Sequence, residues 1–489
     1  MVRLGNPLRG APGRVGALGL CALLLAACGS QGSPADTATR PTATSSAGRH
    51  TVYLYSSLPL SGPERSTSLQ IERGIRLALD LAAHRAGRFD VRYRALCDSA
   101  GAVKRGHGRP VVLGNGASHR GGSTTATASG PCPTVQAPAA GAARADWTAT
   151  ATVQNAEQAA RNPRTVAYIG DLNSGATELS LPILNQAGIV QLTPGSGYPG
   201  LTDGYKDVTL PTEPGRYYPQ SPRTLLRLIP NDVVQASAAL DVLHQSGCRR
   251  VAAWEFGGTV EGPALLKAVI ATASRYGMAY VRTPAPGPGV KSYNYVRALQ
   301  QQPGAPRCAV LVGHETAAAD VLTTELRLQL TPSPIVVGTS GFCNAGWARG
   351  IAAGGISKAV AHNVLEGLYC TTPALPVAAY PGTRDRGGFI DRYRRAFHRA
   401  PTTYEYYGYA ATELVLEALR EVSPRGDSRK QVTRSLVQDY APNVLSTFTF
   451  LDTGDVFSNA YGVDSFVGGR PVWHRTVIPT VRHLLPSAG

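Results

Sequence analysis

The sequence predicts an α/β protein made of two Rossmann-like lobes with parallel sheets. Two observations carry that expectation. From residue 50 to about residue 340, short apolar runs alternate with stretches of helical spacing, the pattern of βαβ units. The alternation restarts once, after Pro230-Asn231, so the units fall into two sets. At 489 residues the chain is also too long for one hydrophobic core.

The first set reads as strand 52–56, a helix over LQIERGIRLALDLAAHRA (69–86), strand 89–96, helix 149–160, strand 166–170, helix 175–187, strand 189–192 and strand 225–229. Residues 99–131 are rich in Gly, Ser and Thr and read as a surface insertion. The second set reads as helix 232–246, strand 250–255, helix 262–276, strand 279–282, helix 293–302, strand 308–312, helix 316–327 and strand 335–338. GVDSFVGGR (462–470) reads as a turn.

The N-terminus reads as an address. Arg3, Arg9 and Arg14 precede the uncharged run VGALGLCALLLAA (15–27), and Cys28 follows. That run is too short to span a bilayer, which takes about 20 residues, and it matches the apolar region of a secretory signal. LAACG (25–29) resembles the bacterial lipobox, which implies cleavage before Cys28 and a lipid on its thiol. The Ser/Thr/Ala/Gly tract up to residue 49 cannot pack a core and reads as a tether spanning roughly 25 Å root-mean-square.

Eight cysteines are present. Cys21 leaves with the signal and Cys28 takes the lipid, so six remain in an exported chain, which favours disulfides. Cys97 ends a strand and Cys132 lies across the low-complexity stretch. Cys248 and Cys308 each precede a buried-type strand. The sequential pairing Cys97–Cys132, Cys248–Cys308 and Cys343–Cys370 is expected.

Composition excludes several classes. The chain is 43% hydrophobic, so it can bury real cores, and its net charge is +16. The 42 Arg and 6 Lys are scattered without a basic block or interleaved aromatics, which argues against nucleic acid. No G-x-S-x-G, H-E-x-x-H or Walker A sequence is present, so an enzyme is not expected. His314 beside Glu315 is a weak acid/base signal. Neither a metal set nor a cofactor motif stands out. Tyr404, Tyr406, Tyr407 and Tyr409 read as helix packing.

Ligands of open α/β sheets bind beyond the carboxyl ends of the strands. Those ends carry SSLPLSGP (56–63), YIGDLNSGAT (168–177) and TPGSG (193–197). With the helix YYGYAATELVLEAL (406–419), Gly74 and the segment FTFLDTGDVFSNAYGV (448–463), these motifs resemble the branched-chain amino-acid-type substrate-binding proteins of ABC transporters. That family has the periplasmic binding protein type I fold, and the resemblance runs over residues 50–482.

The resemblance implies two lobes joined by a three-crossing hinge near 229–231, 367–373 and 442–449. The expected organisation is signal peptide 1–27, tether 28–49, first lobe 50–229, second lobe 230–370, first-lobe continuation 371–445, and hinge return with second-lobe segment 446–489. It implies an extracytoplasmic, membrane-anchored monomer that clamps a small polar solute, an amino acid or related organic acid, and delivers it to an ABC permease. A sensing or protein-interaction lipoprotein, or a secreted α/β hydrolase, are the alternatives. First-lobe contacts implied are Ser61, Asn173, Ser174, Gly195, Ser196 and Gly197. Those of the second lobe are Thr259, His314, Glu315 and Ser340. Two positions depart from the family: Gly197 replaces a frequent Thr, and Ser340 a common acid that pairs with the ligand's ammonium group. If an ammonium group binds, Glu315 or Glu255 is expected to have taken over, Glu315 first. Thr67 stands where some relatives place an aromatic.

Overall fold

The computed structural model describes residues 49–99, 132, 147–220, 222–282, 296–297, 299–301, 308–379, 386–422, 429–438 and 450–487. The signal, Cys28, the tether, the interior of the 99–131 insertion, most of the helix expected at 293–302 and the hinge segment at 442–449 lie outside the described residues.

The first sheet contains β1 (His50–Leu58), β2 (Arg85–Ala86), β3 (Phe89–Cys97), β4 (Thr165–Ile169), β5 (Val190–Thr193) and β6 (Leu225–Arg227), in the order β2-β3-β1-β4-β5-β6. All neighbours are parallel except β2, which pairs antiparallel with β3. Strands β4 and β5 are buried at every position, and such two-sided burial is why they appear in the sequence as short apolar runs. Helices α1 (Arg65–Leu81), α2 (Ala149–Arg161) and α3 (Ser174–Gln186) make the crossovers.

The second sheet runs β13-β12-β11-β10-β9-β7-β8. Its strands are β7 (Arg250–Phe256), β8 (Ala279–Tyr280), β9 (Cys308–Gly313), β10 (Ile335–Gly338), β11 (Leu368–Thr372), β12 (Tyr461–Val467) and β13 (Arg470–Val477). Strands β7 to β11 pair in parallel, and β12 and β13 add antiparallel. Helices α4 (Asp232–Gln245), α5 (Gly262–Ala273), α6 (Ala317–Gln329), α7 (Ala345–Ala353) and α8 (Lys358–Leu365) flank it. Separate apolar cores fill its two faces, one around Val251 and Val310, the other around Trp254, Phe342 and Trp347. The turn expected at 462–470 is corrected here: Tyr461–Val467 is strand β12, and Gly468-Gly469, both at positive φ, make the hairpin turn into β13. Val463 and Phe466 are buried there while Val467 is exposed, so half-burial set the strand where Gly-rich composition suggested a loop.

The chain crosses from β6 directly into α4, and leaves the second sheet after β11. It then returns to the first core through α9 (Arg386–Phe397), α10 (Thr403–Val422) and α11 (Arg429–Gln438). Helix α10 packs on α1 with the two backbones in direct contact at two glycines. A Cβ added at Gly74 would strike the Glu405 carbonyl, and one at Gly408 would strike the Ile71 backbone. Tyr406, Tyr407 and Tyr409 are buried in this core, and Tyr407 donates its hydroxyl to the Pro373 carbonyl at 2.6 Å. The tyrosine cluster is packing.

The three disulfides are Cys97–Cys132, Cys248–Cys308 and Cys343–Cys370, with Cα separations of 5.1, 6.2 and 5.4 Å. No helix among the described residues is long and apolar enough to cross a membrane.

Candidate functional site

The loops after β4 and β5 are bonded into one unit at the carboxyl end of the first sheet. Asp171 is buried, and burial raises its carboxyl to about 6. Tyr168 and Ser180 donate to that carboxylate, while its backbone carbonyl accepts from Thr193 Oγ1 at 2.7 Å and from Ser196 Oγ at 3.1 Å. Ser196 Oγ also meets Thr177 Oγ1 at 2.7 Å. Ser174 opens α3, and its Oγ accepts from the Tyr198 amide at 3.1 Å. Asn173 takes the N-cap position without a side-chain cap bond, and its Oδ1 is buried with no hydrogen-bond partner. Ser61 sits one loop away, held to Ser99 Oγ through both its amide and its hydroxyl. Thr67 is half-buried in the first turn of α1.

Asp232 comes next to this unit from the other lobe. It is the first residue of α4, and Asn231 caps that helix by accepting from the amides of Val233 and Val234. The Asp232 amide donates to the Gly197 carbonyl at 2.9 Å. Its side chain then lies against Gly197 so closely that a Cβ there would run into the carboxylate. Asp232 is 5% exposed, and its Oδ2 has no hydrogen-bond partner. Burial, and after it the nearby Glu261, pushes its carboxyl up to about 7, against the pull of Arg227. The departure at Gly197 has its physical reason here: the room a Thr side chain would need is filled by a carboxylate.

The second lobe contributes the loops after β7, β9 and β10. Thr259 Oγ1 accepts from the Gly262 amide at 3.1 Å at the start of α5. Glu255 turns back on its own loop and accepts from the Gly258 amide at 3.0 Å. His314 pairs by a backbone bridge with Gly341, and its ring lies over that glycine. Glu315 accepts from the Asn344 side-chain amide at the start of α7. Ser340 is exposed, and its carbonyl accepts from the Cys343 amide in the turn before α7. Glu261, unremarked in the sequence, is half-buried, and burial raises its carboxyl above the usual range.

The two lobes meet across Gly175, where Trp147 from the first lobe and Val260 from the second both close in. Beside it on α3, Glu178 is raised to about 7 by burial and by Glu213. Asn173, Ser174, Gly195, Ser196 and Gly197 are therefore gathered in one place, with Thr259 and His314 on the facing loops near Glu261. Glu315 and Ser340 are engaged at the start of α7. Asp232, Glu261 and Trp147 are the residues the motifs did not single out. Asp232 reads in sequence as the acid that commonly opens a helix.

Against known proteins, a family model described as periplasmic binding protein matches residues 145–461. The chain belongs to that family. Its members are solute-binding proteins rather than enzymes, and they work outside the cytoplasm. A comparison with curated proteins returned no match. Among solved structures, a leucine-binding protein from Thermotoga maritima is 15% identical, over 88% of this chain and 99% of its own, with a TM-score of 0.60. A branched-chain amino acid substrate-binding protein from Streptococcus pneumoniae, in complex with isoleucine, is 13% identical over 87% and 100%, with a TM-score of 0.56. An ABC-transporter solute-binding protein from R. palustris, in complex with benzoate, is 12% identical over 88% and 97%, also at 0.56. At such identities the likeness is one of fold: this is the type I periplasmic binding fold expected from the strand-end motifs.

Proposed function

We propose that this periplasmic binding protein is a lipid-anchored monomer that captures a small solute carrying an amino group and delivers it to an ABC permease. The observation that supports this most is Asp232. Its carboxylate stands against Gly197 in the loop that follows β5, and one of its oxygens is buried without a partner. A buried, unpaired carboxylate is costly unless a cation meets it. An ammonium group at Oδ2 would supply that cation, and Glu261 adds a second negative neighbour. In this reading Asp232 takes the role that Glu315 or Glu255 was expected to fill, because Glu255 is bonded within its own loop and Glu315 to Asn344. Ser174 at the start of α3, with its free amides, suits the carboxylate or amide end of the same solute.

Capture is a ligand-shifted equilibrium between open and closed lobes, and a solute touching both lobes favours closure by its differential affinity. The LAAC sequence before the tether supports anchoring through Cys28. A thermal-shift screen over amino acids, amides and small organic acids tests the reading. A stabilising aminated solute whose effect is lost in Asp232→Asn supports it. Preference for an acid without an amine, unchanged in that variant, overturns the solute class. Mass spectrometry of the protein isolated from its membrane tests the anchor, which fails if Cys28 is not the lipidated first residue.

A further inference from the structure

The solute loops occupy the carboxyl ends of β1, β4 and β5, and a second concavity lies at the opposite ends of the same strands. It is a surface pocket of about 650 Å³, lined by Arg49, His50, Arg164, Arg429, Lys430 and neighbouring apolar groups. Strand β1 is nine residues long, so the pocket and the solute loops are separated by roughly 30 Å. Among the described residues no carboxylate lines it.

The cations in it are poorly neutralised. Arg429 is the most enclosed of them, and it spends its guanidinium on four backbone carbonyls, those of Thr165, Ala187, Ala160 and Asn162. Those carbonyls satisfy its hydrogen bonds and leave its charge in place; burial holds its pKa below the usual arginine range. Arg164 and Lys430 are exposed and form no ion pair with the described residues. Arg49 reaches Asp90, which lies outside the pocket lining, at 3.4 Å in a loose and exposed pair. Two strand starts and one helix start thus converge four positive side chains on a space much larger than a single water or halide.

We propose that this pocket is a second binding site, for a phosphate-bearing anion, and that the anion is the headgroup of a membrane phospholipid. Guanidinium groups match phosphate oxygens in pairs, and lysine adds a point charge. The source follows from where the pocket sits. Arg49, one of its walls, is also the residue at which the tether enters the fold. A flexible tether of that length puts Arg49 at a root-mean-square distance of roughly 25 Å from its anchored end, short enough for this face to reach lipid headgroups. The membrane source rests on the lipid-anchor reading; the phosphate chemistry does not.

The test uses the full chain carrying Cys28→Ser, so that any attachment is independent of lipidation. Co-sedimentation compares vesicles of phosphatidylcholine alone with vesicles that also contain phosphatidylglycerol. Binding to the second kind only is expected, with Arg164→Gln/Lys430→Gln lowering the partition coefficient about tenfold. Because the whole chain is basic, the exposed pair Arg394→Gln/Arg395→Gln on α9 serves as a charge-matched control and should lower it far less. Calorimetry with glycerol 1-phosphate forms the second arm. Phosphate binding that the pocket variant loses, without any vesicle preference, keeps the site and overturns the membrane source. Equal losses in both variants, or none in either, overturn the site.

Discussion

Arg227 donates through Nε to Asp455 Oδ1 at 2.8 Å, and both side chains are buried. Asp455 belongs to the TGD turn near the C-terminus, and it also accepts from Asn231 at 3.1 Å and Thr202 at 2.9 Å. The same guanidinium donates through Nη1 to the carbonyls of Ser196 and Tyr198. One ion pair therefore ties the first lobe crossing, the returning chain and the solute loop together.

Asp455→Ala should be among the most damaging single changes. It leaves a buried guanidinium without its carboxylate, which typically costs about 3–5 kcal/mol. Urea unfolding should show that loss, while Asp455→Asn, which keeps an acceptor, should lose less.

Gly197→Thr tests the packing of Asp232. The single change should weaken folding by about 1–3 kcal/mol through overpacking. Combined with Asp232→Ala, the hydroxyl side chain gains room, and the double variant should be more stable than Gly197→Thr alone. A double-mutant cycle reads this coupling; additive effects would show that the two sites are independent.

The carboxyl of Asp232 also sets a pH dependence of stability. In the folded chain it holds its proton up to about pH 7, whereas the unfolded chain releases it near 4. Between those values the folded state binds more protons, so this group lowers stability as pH rises across that window. Asp232→Asn should match the parent near pH 4 and exceed it by up to a few kcal/mol at pH 8. Thermal melts at both pH values check the sign.

Solute binding should follow the opposite sense. A cationic group meets ionised Asp232, so its affinity should rise as pH passes through about 7, with proton release on binding. Glu261, Arg227 and Tyr461 are the other titratable groups coupled to that carboxyl, and Asp232→Asn should flatten the profile. Calorimetry in buffers of different ionisation heat measures the released proton directly.

Removing Cys248–Cys308 by a double Ser substitution should lower stability by about 2–4 kcal/mol without changing the fold. Circular dichroism at low temperature should be unchanged while the melting temperature drops.

The architecture was legible because parallel strands buried on both faces, such as TVAYI and AVLVG, survive in sequence as isolated apolar runs. Edge and return segments were harder. Strand β13 exposes Val472 and Trp473, so its alternation carries little apolar signal, and β12 ends in the glycines that suggested a loop. The loops after β4 and β5 were marked by their motifs, whereas Asp232 beside them was not. Its meaning comes from a contact, 35 positions away in sequence, with a glycine that has no side chain to signal it. Arg227 likewise reads as the end of the run LLR, and only its burial beside Asp455 gives it a role.

The bridge between Cys97 and Cys132 holds the two ends of the excursion 5.1 Å apart at the Cα atoms. Beside it, Ser99 Oγ is bonded to Ser61 in the first solute loop. Whatever is inserted between the two cysteines is thus mechanically stapled at its base and one hydrogen bond from the cleft. That makes the excursion a natural place to splice in a fluorescent reporter, turning the binding protein into an optical sensor for its own solute.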